Sequence, residues 1–174
     1  DTNIGTHNVV YTDIENTDNY DHIYQSDLCG WVGQLGYNKD SIYGANVFTA
    51  EGNETLKAAS FYATGKDSQY ELYVVRQFED ETSLEKMIPV ASGKLGNAGY
   101  YTVDFNQGIE VDAGERYAVV LYIITPGSVH PMAIEYAADE ATENVDLDDG
   151  ESYISANGSK WVSVDTVEKS NLCI

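Results

Sequence analysis

Two cysteines, Cys29 and Cys173, and three histidines, His7, His22 and His130, are the residues of this chain best suited to nucleophilic chemistry. A cysteine nucleophile needs an imidazole beside it, and often a helix N-terminus, to be held as the thiolate. Cys29 is followed by Gly30-Trp31 and by no helical pattern, so it lacks the local setting of a catalytic cysteine. No His-Glu-x-x-His, Gly-x-Ser-x-Gly, phosphate loop or dinucleotide fingerprint occurs. A glycosidase needs two facing carboxyls, and the 29 Asp and Glu show no spacing that singles out a pair. The chain is therefore expected to be non-catalytic.

Binding chemistry is better represented. The acidic run Asn144–Glu151 resembles a calcium loop, but with Gly150 at the sixth position of an EF-hand, positions one, three and twelve fall on Val145, Leu147 and Ala156. It reads as a solvated loop before a strand. Oxygen donors in Asp18-Asn19-Tyr20-Asp21 and Glu51-Gly52-Asn53-Glu54 suit one structural Ca²⁺, with Asp18, Asp21, Glu51 and Asn53 as candidate ligands. Fourteen tyrosines and two tryptophans offer stacking surfaces for sugar rings. Tyr20, Tyr24, Trp31, Tyr37 and Tyr43 fall in the first quarter of the chain and are the candidate ligand-binding residues. The competing reading is packing, since tyrosine is a favoured strand residue with a buried ring and a wet hydroxyl.

Charge narrows the partners. Lys and Arg total 9 against 29 acids, a net charge of −20. Such a surface repels phosphate backbones and anionic headgroups, disfavouring nucleic acid and direct membrane insertion. The longest apolar run, Tyr117 to Ile124, is strand-sized and far short of a membrane span. The chain starts at Asp1 and reads as a fragment of a longer secreted protein. A Cys29–Cys173 bridge would stabilise the fold by roughly 4–5 kcal/mol on the chain-entropy model; a small buried thiol is the commoner fate of such a cysteine.

The elements that must position these residues are strands. Turn residues recur about every 8–12 positions between short runs rich in Val, Ile, Tyr, Phe and Thr. Strands are expected at Asn8–Thr12, Ala45–Ala50, Leu56–Thr64, Tyr70–Gln77, Pro89–Leu95, Tyr100–Phe105, Arg116–Thr125, Met132–Tyr136, Ser152–Ala156 and Lys160–Val164. Asn157-Gly158 predicts a type I′ hairpin, Gly96-Asn97 a second hairpin, and Asp112–Glu115 a tight turn. Arg116–Thr125 is apolar on both faces and is expected to be central and covered twice. Glu79–Met87 has room for a helical turn, and Leu172-Cys173-Ile174 begins a last core strand. The sum is a single all-β domain over 1–174, an antiparallel two-sheet sandwich of jelly-roll type. Residues 1–39 form a loop-rich wrapping segment and 40–174 the main sandwich.

Tyr43–Ala50 followed by Glu54–Tyr62 resembles the lectin-like domain found C-terminal to papain-family cysteine peptidases of Gram-positive anaerobes, clostridial surface proteases among them. Asn19–Asp27, Gly99–Asp104 with Ala113–Val120, and Glu151–Ser155 with Gly158 and Trp161 fit the same pattern in order, across nearly the whole chain. The resemblance implies a jelly-roll-like sandwich, an extracellular or cell-wall setting, a peptidase domain in the same polypeptide, and an associated calcium. Sugar binding does not follow from a lectin-like shape; an accessory module engaging cell-wall carbohydrate or glycoprotein is the leading expectation. The alternative is a structural domain packed on the peptidase or its propeptide.

Overall fold

The computed structural model describes Tyr11 and residues 19–140, 142–148 and 150–174. Apart from Tyr11, the expected strand Asn8–Thr12 lies outside the described residues, as does Asp18. The architecture is all-β. Strands run β1 (Gly33–Leu35), β2 (Ser41–Thr49), β3 (Glu54–Ala63), β4 (Ser68–Val75), β5 (Ile88–Leu95), β6 (Gly99–Val111), β7 (Arg116–Ile124), β8 (Met132–Glu135), β9 (Glu151–Ser155), β10 (Val162–Ser163) and β11 (Asn171–Leu172). Between β4 and β5, Glu81–Glu85 forms a 3-10 turn capped by Asp80 and Ser83.

Six strands form the larger sheet in the order β10-β9-β2-β7-β4-β5, every pair antiparallel. Facing it are the ribbon β3–β6 and the three-stranded sheet β1-β8-β11. One core fills the space between, with Ile42, Phe61, Leu72, Leu121, Ile123, Met132 and Leu172 at its centre. A second, smaller core of Ala45, Val75, Phe78, Leu84, Ala118 and Val120 lies on the other face of the larger sheet, covered by the 3-10 turn. Period-2 alternation sends Leu121 and Ile123 of β7 into the first core and Ala118 and Val120 into the second. That is why β7 is apolar on both sides, as its sequence predicts.

Two turns differ from expectation. Gly96-Asn97 does not close a hairpin: β5 pairs with β4 and β6 with β3, so the connection carries the chain from one sheet to the other. Asp112–Glu115 also links the two sheets, and it is the tight turn expected, with Gly114 at φ +77 and the Glu115 N–H donating to the Asp112 carbonyl at 2.9 Å. At Asn157-Gly158 only Gly158 (φ +74) takes the left-handed conformation, so the turn is not type I′. A wider loop joins β9 to β10, because Ser155 Oγ and Asn157 Oδ1 accept main-chain N–H groups within it and hold it open. Gly33–Leu35 also supplies a strand inside the segment expected to be loops, and β6 continues past Phe105 through an irregularity opposite Leu56 and Ala58.

The β6–β7 turn is locked by charge. Arg76 grips the Glu115 carboxylate with two N–H groups at 2.9 and 2.6 Å, and the main-chain N–H groups of Gln77 and Asp112 donate to it as well. The Arg76 guanidinium holds the Glu115 carboxyl down at about 2, against 4.5 ordinarily. A lowered acid pKa favours the fold above pH 4.5, and this contribution is lost as pH falls through about 2. After allowance for solvent screening it amounts to about 1–2 kcal/mol. Chemical denaturation at pH 5 and pH 2.5 should show that loss in the parent and a smaller one in Glu115→Gln; equal losses would put the acid sensitivity elsewhere.

Candidate functional site

The outer face of the β3–β6 ribbon carries a row of rings. Alternation along β3 points Phe61 inward and Tyr62 outward, and register pairs Tyr62 with Tyr100 and Ser60 with Thr102. Tyr62 and Tyr100 have centroids 4.9 Å apart, and Trp31, from the loop before β1, stands 5.9 Å from Tyr62. Trp31 is 37% and Tyr100 55% exposed. Gly30 lets the loop approach: it has φ +70, and a Cβ there would lie 2.9 Å from the Tyr62 hydroxyl. Beside the rings, Ser60 Oγ and Thr102 Oγ1 share a 3.0 Å hydrogen bond.

A groove of about 570 Å³ adjoins this row, between residues 19–27 and strands β3 and β6, its lining reaching the core at Phe105 and Tyr117. One wall is pinned by Tyr24, whose hydroxyl donates to Glu54 and accepts from the Glu51 N–H at 2.8 Å. His22 Nδ1 meets the same carboxylate at 2.8 Å. Burial pushes the Tyr24 hydroxyl pKa up, and its ring packs on Phe48 and Tyr117. Tyr20 donates to Asp104 Oδ1 at 3.2 Å. The groove is thus lined with hydroxyls and carboxylates over an apolar floor, a lining suited to a polyhydroxylated ligand.

Of the five aromatic candidates, the structure gathers Tyr20 and Tyr24 at the groove and Trp31 in the ring row. Tyr37 packs against the main core. Tyr43 projects from the outer face of the larger sheet, stacked on Tyr122. Tyr62 and Tyr100 were missed because they read simply as strand tyrosines; only the pairing of β3 with β6 sets them side by side.

The acidic candidates separate. Asn53 Oδ1 accepts the Ala113 N–H at 2.9 Å, and Asp21 and Glu51 are exposed. Among the described residues no three His, Cys, Asp or Glu side chains group as metal ligands. A different set of oxygens does converge. Glu135 on β8 is fully buried, and its carboxylate accepts from the Cys29 N–H and from Asn171 Nδ2 at 3.3 Å. The same amide nitrogen reaches the Ser26 carbonyl at 2.7 Å and the Asp146 carbonyl at 3.0 Å. An amide has two hydrogens for these three acceptors. Rotated by 180°, it would add its own oxygen, completing an all-oxygen set of main-chain carbonyls, a carboxylate and an amide. That is the donor chemistry of a Ca²⁺ site. Glu135 was passed over because it sits in the apolar run Met132–Tyr136, where a lone carboxylate is the only signal.

Both cysteines are free thiols, Cys29 exposed and Cys173 buried. Burial pushes the Cys173 thiol pKa up, with the Asp27 carboxyl adding to the effect, which is the reverse of what a nucleophile needs.

Residues 23–174 match the Lectin like domain family. The chain belongs to that family. Solved structures agree on the fold. A clostridial cysteine protease, Cwp84, after propeptide cleavage superposes on this lectin-like domain with a TM-score of 0.70 at 22% identity, over 86% of this chain and 38% of that one. The cysteine protease and lectin-like domains of Cwp84, a surface layer associated protein of Clostridium difficile, superpose with a TM-score of 0.63 at 22% identity, over 77% and 31%. The chain therefore spans about a third of the length of these solved chains. No curated protein matches it. No helix among the described residues is long and apolar enough to cross a membrane.

Proposed function

We propose that this lectin-like domain is the non-catalytic binding module of a secreted cysteine protease of a Gram-positive bacterium, and that it holds the peptidase domain of the same polypeptide against cell-surface glycan or glycoprotein. The row Trp31–Tyr62–Tyr100 carries this reading. Trp31 and Tyr100, exposed on either side of the half-buried Tyr62, offer ring faces to the C–H faces of pyranoses, while Ser60, Thr102 and the groove carboxylates meet their hydroxyls. Tethering raises the enzyme's effective concentration at the wall without adding any chemistry to this chain. A calcium ion belongs to the same proposal: Glu135, Asn171 and the carbonyls of Ser26 and Asp146 would hold it, binding the segment that carries Trp31 to β8 and the acidic loop.

Trp31→Ala should weaken retention on purified wall material about tenfold, the loss of one stacking contact, without unfolding the domain. Equal retention of variant and parent overturns the assignment of this face. A second reading has its own observation: Ile23 and Leu28 are 75% and 76% exposed on the segment that leads to Trp31. Exposed apolar side chains so placed suit packing on the peptidase or its propeptide. In that case Ile23→Ser would loosen the full-length enzyme's interdomain contact and leave wall retention intact.

A further inference from the structure

The outer face of the larger sheet holds a second arrangement of rings and polar groups, distant in the fold from the Trp31 row. Register aligns five outward side chains across five neighbouring strands: Ser155, Tyr43, Tyr122, Glu71 and Ser92. At about 4.8 Å between strands the line runs roughly 19 Å. Tyr43 and Tyr122 are stacked, centroids 4.2 Å apart and planes 22° from parallel, and Trp161 abuts Tyr43 edge-on at 6.2 Å. One face of the Tyr122 ring is therefore taken by Tyr43. On its other side, toward β4 and β5, lies an open depression of about 390 Å³ lined by Gln69, Glu71, Ser92, Lys94, Tyr122 and Ile124.

The lining defines the ligand. It combines two tyrosines, Tyr70 and Tyr122, with an amide, a hydroxyl, a carboxylate and an ammonium, a set that meets hydroxyl groups in either hydrogen-bonding sense. Lys94 is balanced by Asp67 at 3.3 Å, while Glu71 and the net charge of −20 repel anions. The lining side chains stand on the face of the sheet, whereas strand addition by an extended peptide would use the main-chain edge of β5, the last strand of the sheet. We propose that this depression is a second glycan subsite, independent of the Trp31 row, taking a neutral pyranose with its C–H face on Tyr122 and its hydroxyls on Glu71, Gln69 and Ser92. The inference rests on the reading of the domain as a glycan-binding module and makes that module bivalent. Two subsites on different faces would give avidity for a polymer beyond either alone.

The test is chemical-shift mapping of the domain titrated with neutral β-linked hexose and N-acetylhexosamine oligosaccharides. Parent, Trp31→Ala/Tyr100→Ala, Tyr122→Ala, Tyr122→Phe and Glu71→Ala are compared. Perturbations at Gln69, Glu71 and Ser92 are expected in the parent, to persist in the Trp31/Tyr100 double variant, and to need about tenfold more sugar in Tyr122→Ala. Tyr122→Phe keeps the ring and should titrate like the parent. Glu71 is exposed, so Glu71→Ala keeps the fold and repeats the weakening even where Tyr122→Ala unfolds. Perturbations confined to Trp31, Tyr62 and Tyr100 overturn the second subsite while sparing the first. Saccharide shifts at Gln69 and Ser92 that survive equally in Tyr122→Ala and Glu71→Ala overturn it too. No perturbation anywhere overturns both this subsite and the glycan-binding function.

Discussion

Glu135→Ala should lower the stability of the lectin-like domain by about 3 kcal/mol, near 10 °C in melting temperature for a chain of this length. The carboxylate is fully buried and accepts from the Cys29 N–H and the Asn171 amide. Alanine leaves the Cys29 N–H without its acceptor, at about 1–3 kcal/mol, and a cavity where the buried side chain stood, while the Asn171 amide keeps the Ser26 and Asp146 carbonyls. Calcium sharpens the experiment. An ion held only by the folded state adds about 2.7 kcal/mol at a hundredfold excess over its dissociation constant. EDTA should therefore lower the melting temperature of the parent and have no further effect on Glu135→Ala. A parent melting curve indifferent to EDTA removes calcium from the account and leaves Glu135 as a hydrogen-bond acceptor only.

The second large effect separates two neighbours on one strand. Phe61→Ala should cost about 3–5 kcal/mol, since its ring is fully buried between the sheets with Tyr70 at 5.2 Å, and alanine leaves a cavity there. Tyr62, one residue on, points to the outer face and is half-buried beside Trp31 and Tyr100. Tyr62→Ala should cost about 1 kcal/mol and weaken retention on wall material as Trp31→Ala does. Urea titrations with unchanged slopes give both values. If the two variants lose the same stability, the outward rings are packing, and the recognition surface must be sought elsewhere.

Much of the architecture was legible because hydrophobic alternation is a local property. Tyr117–Ile124 reads as a strand covered on both faces, and in the fold Leu121 and Ile123 enter one core while Ala118 and Val120 enter the other. The family resemblance was legible for the same reason, since the order of strands and turns survives along the chain. Turn identity was less so. Gly96-Asn97 has hairpin chemistry yet crosses between sheets, because the partner each flanking strand chooses is settled by distant β3 and β4.

The candidate sites divide along the same line. Residue types alone set the expectation: an acidic, tyrosine-rich sequence without a catalytic motif points to recognition. Tertiary structure alone decided which of those residues act together. Tyr62 meets Tyr100 across 38 positions through one strand pairing, and Asn171 meets Glu135, Ser26 and Asp146 only where β8, β11 and two loops converge. A strand's periodicity determines which face a side chain takes, but its neighbours on that face come from register between strands far apart in sequence, which no local pattern encodes.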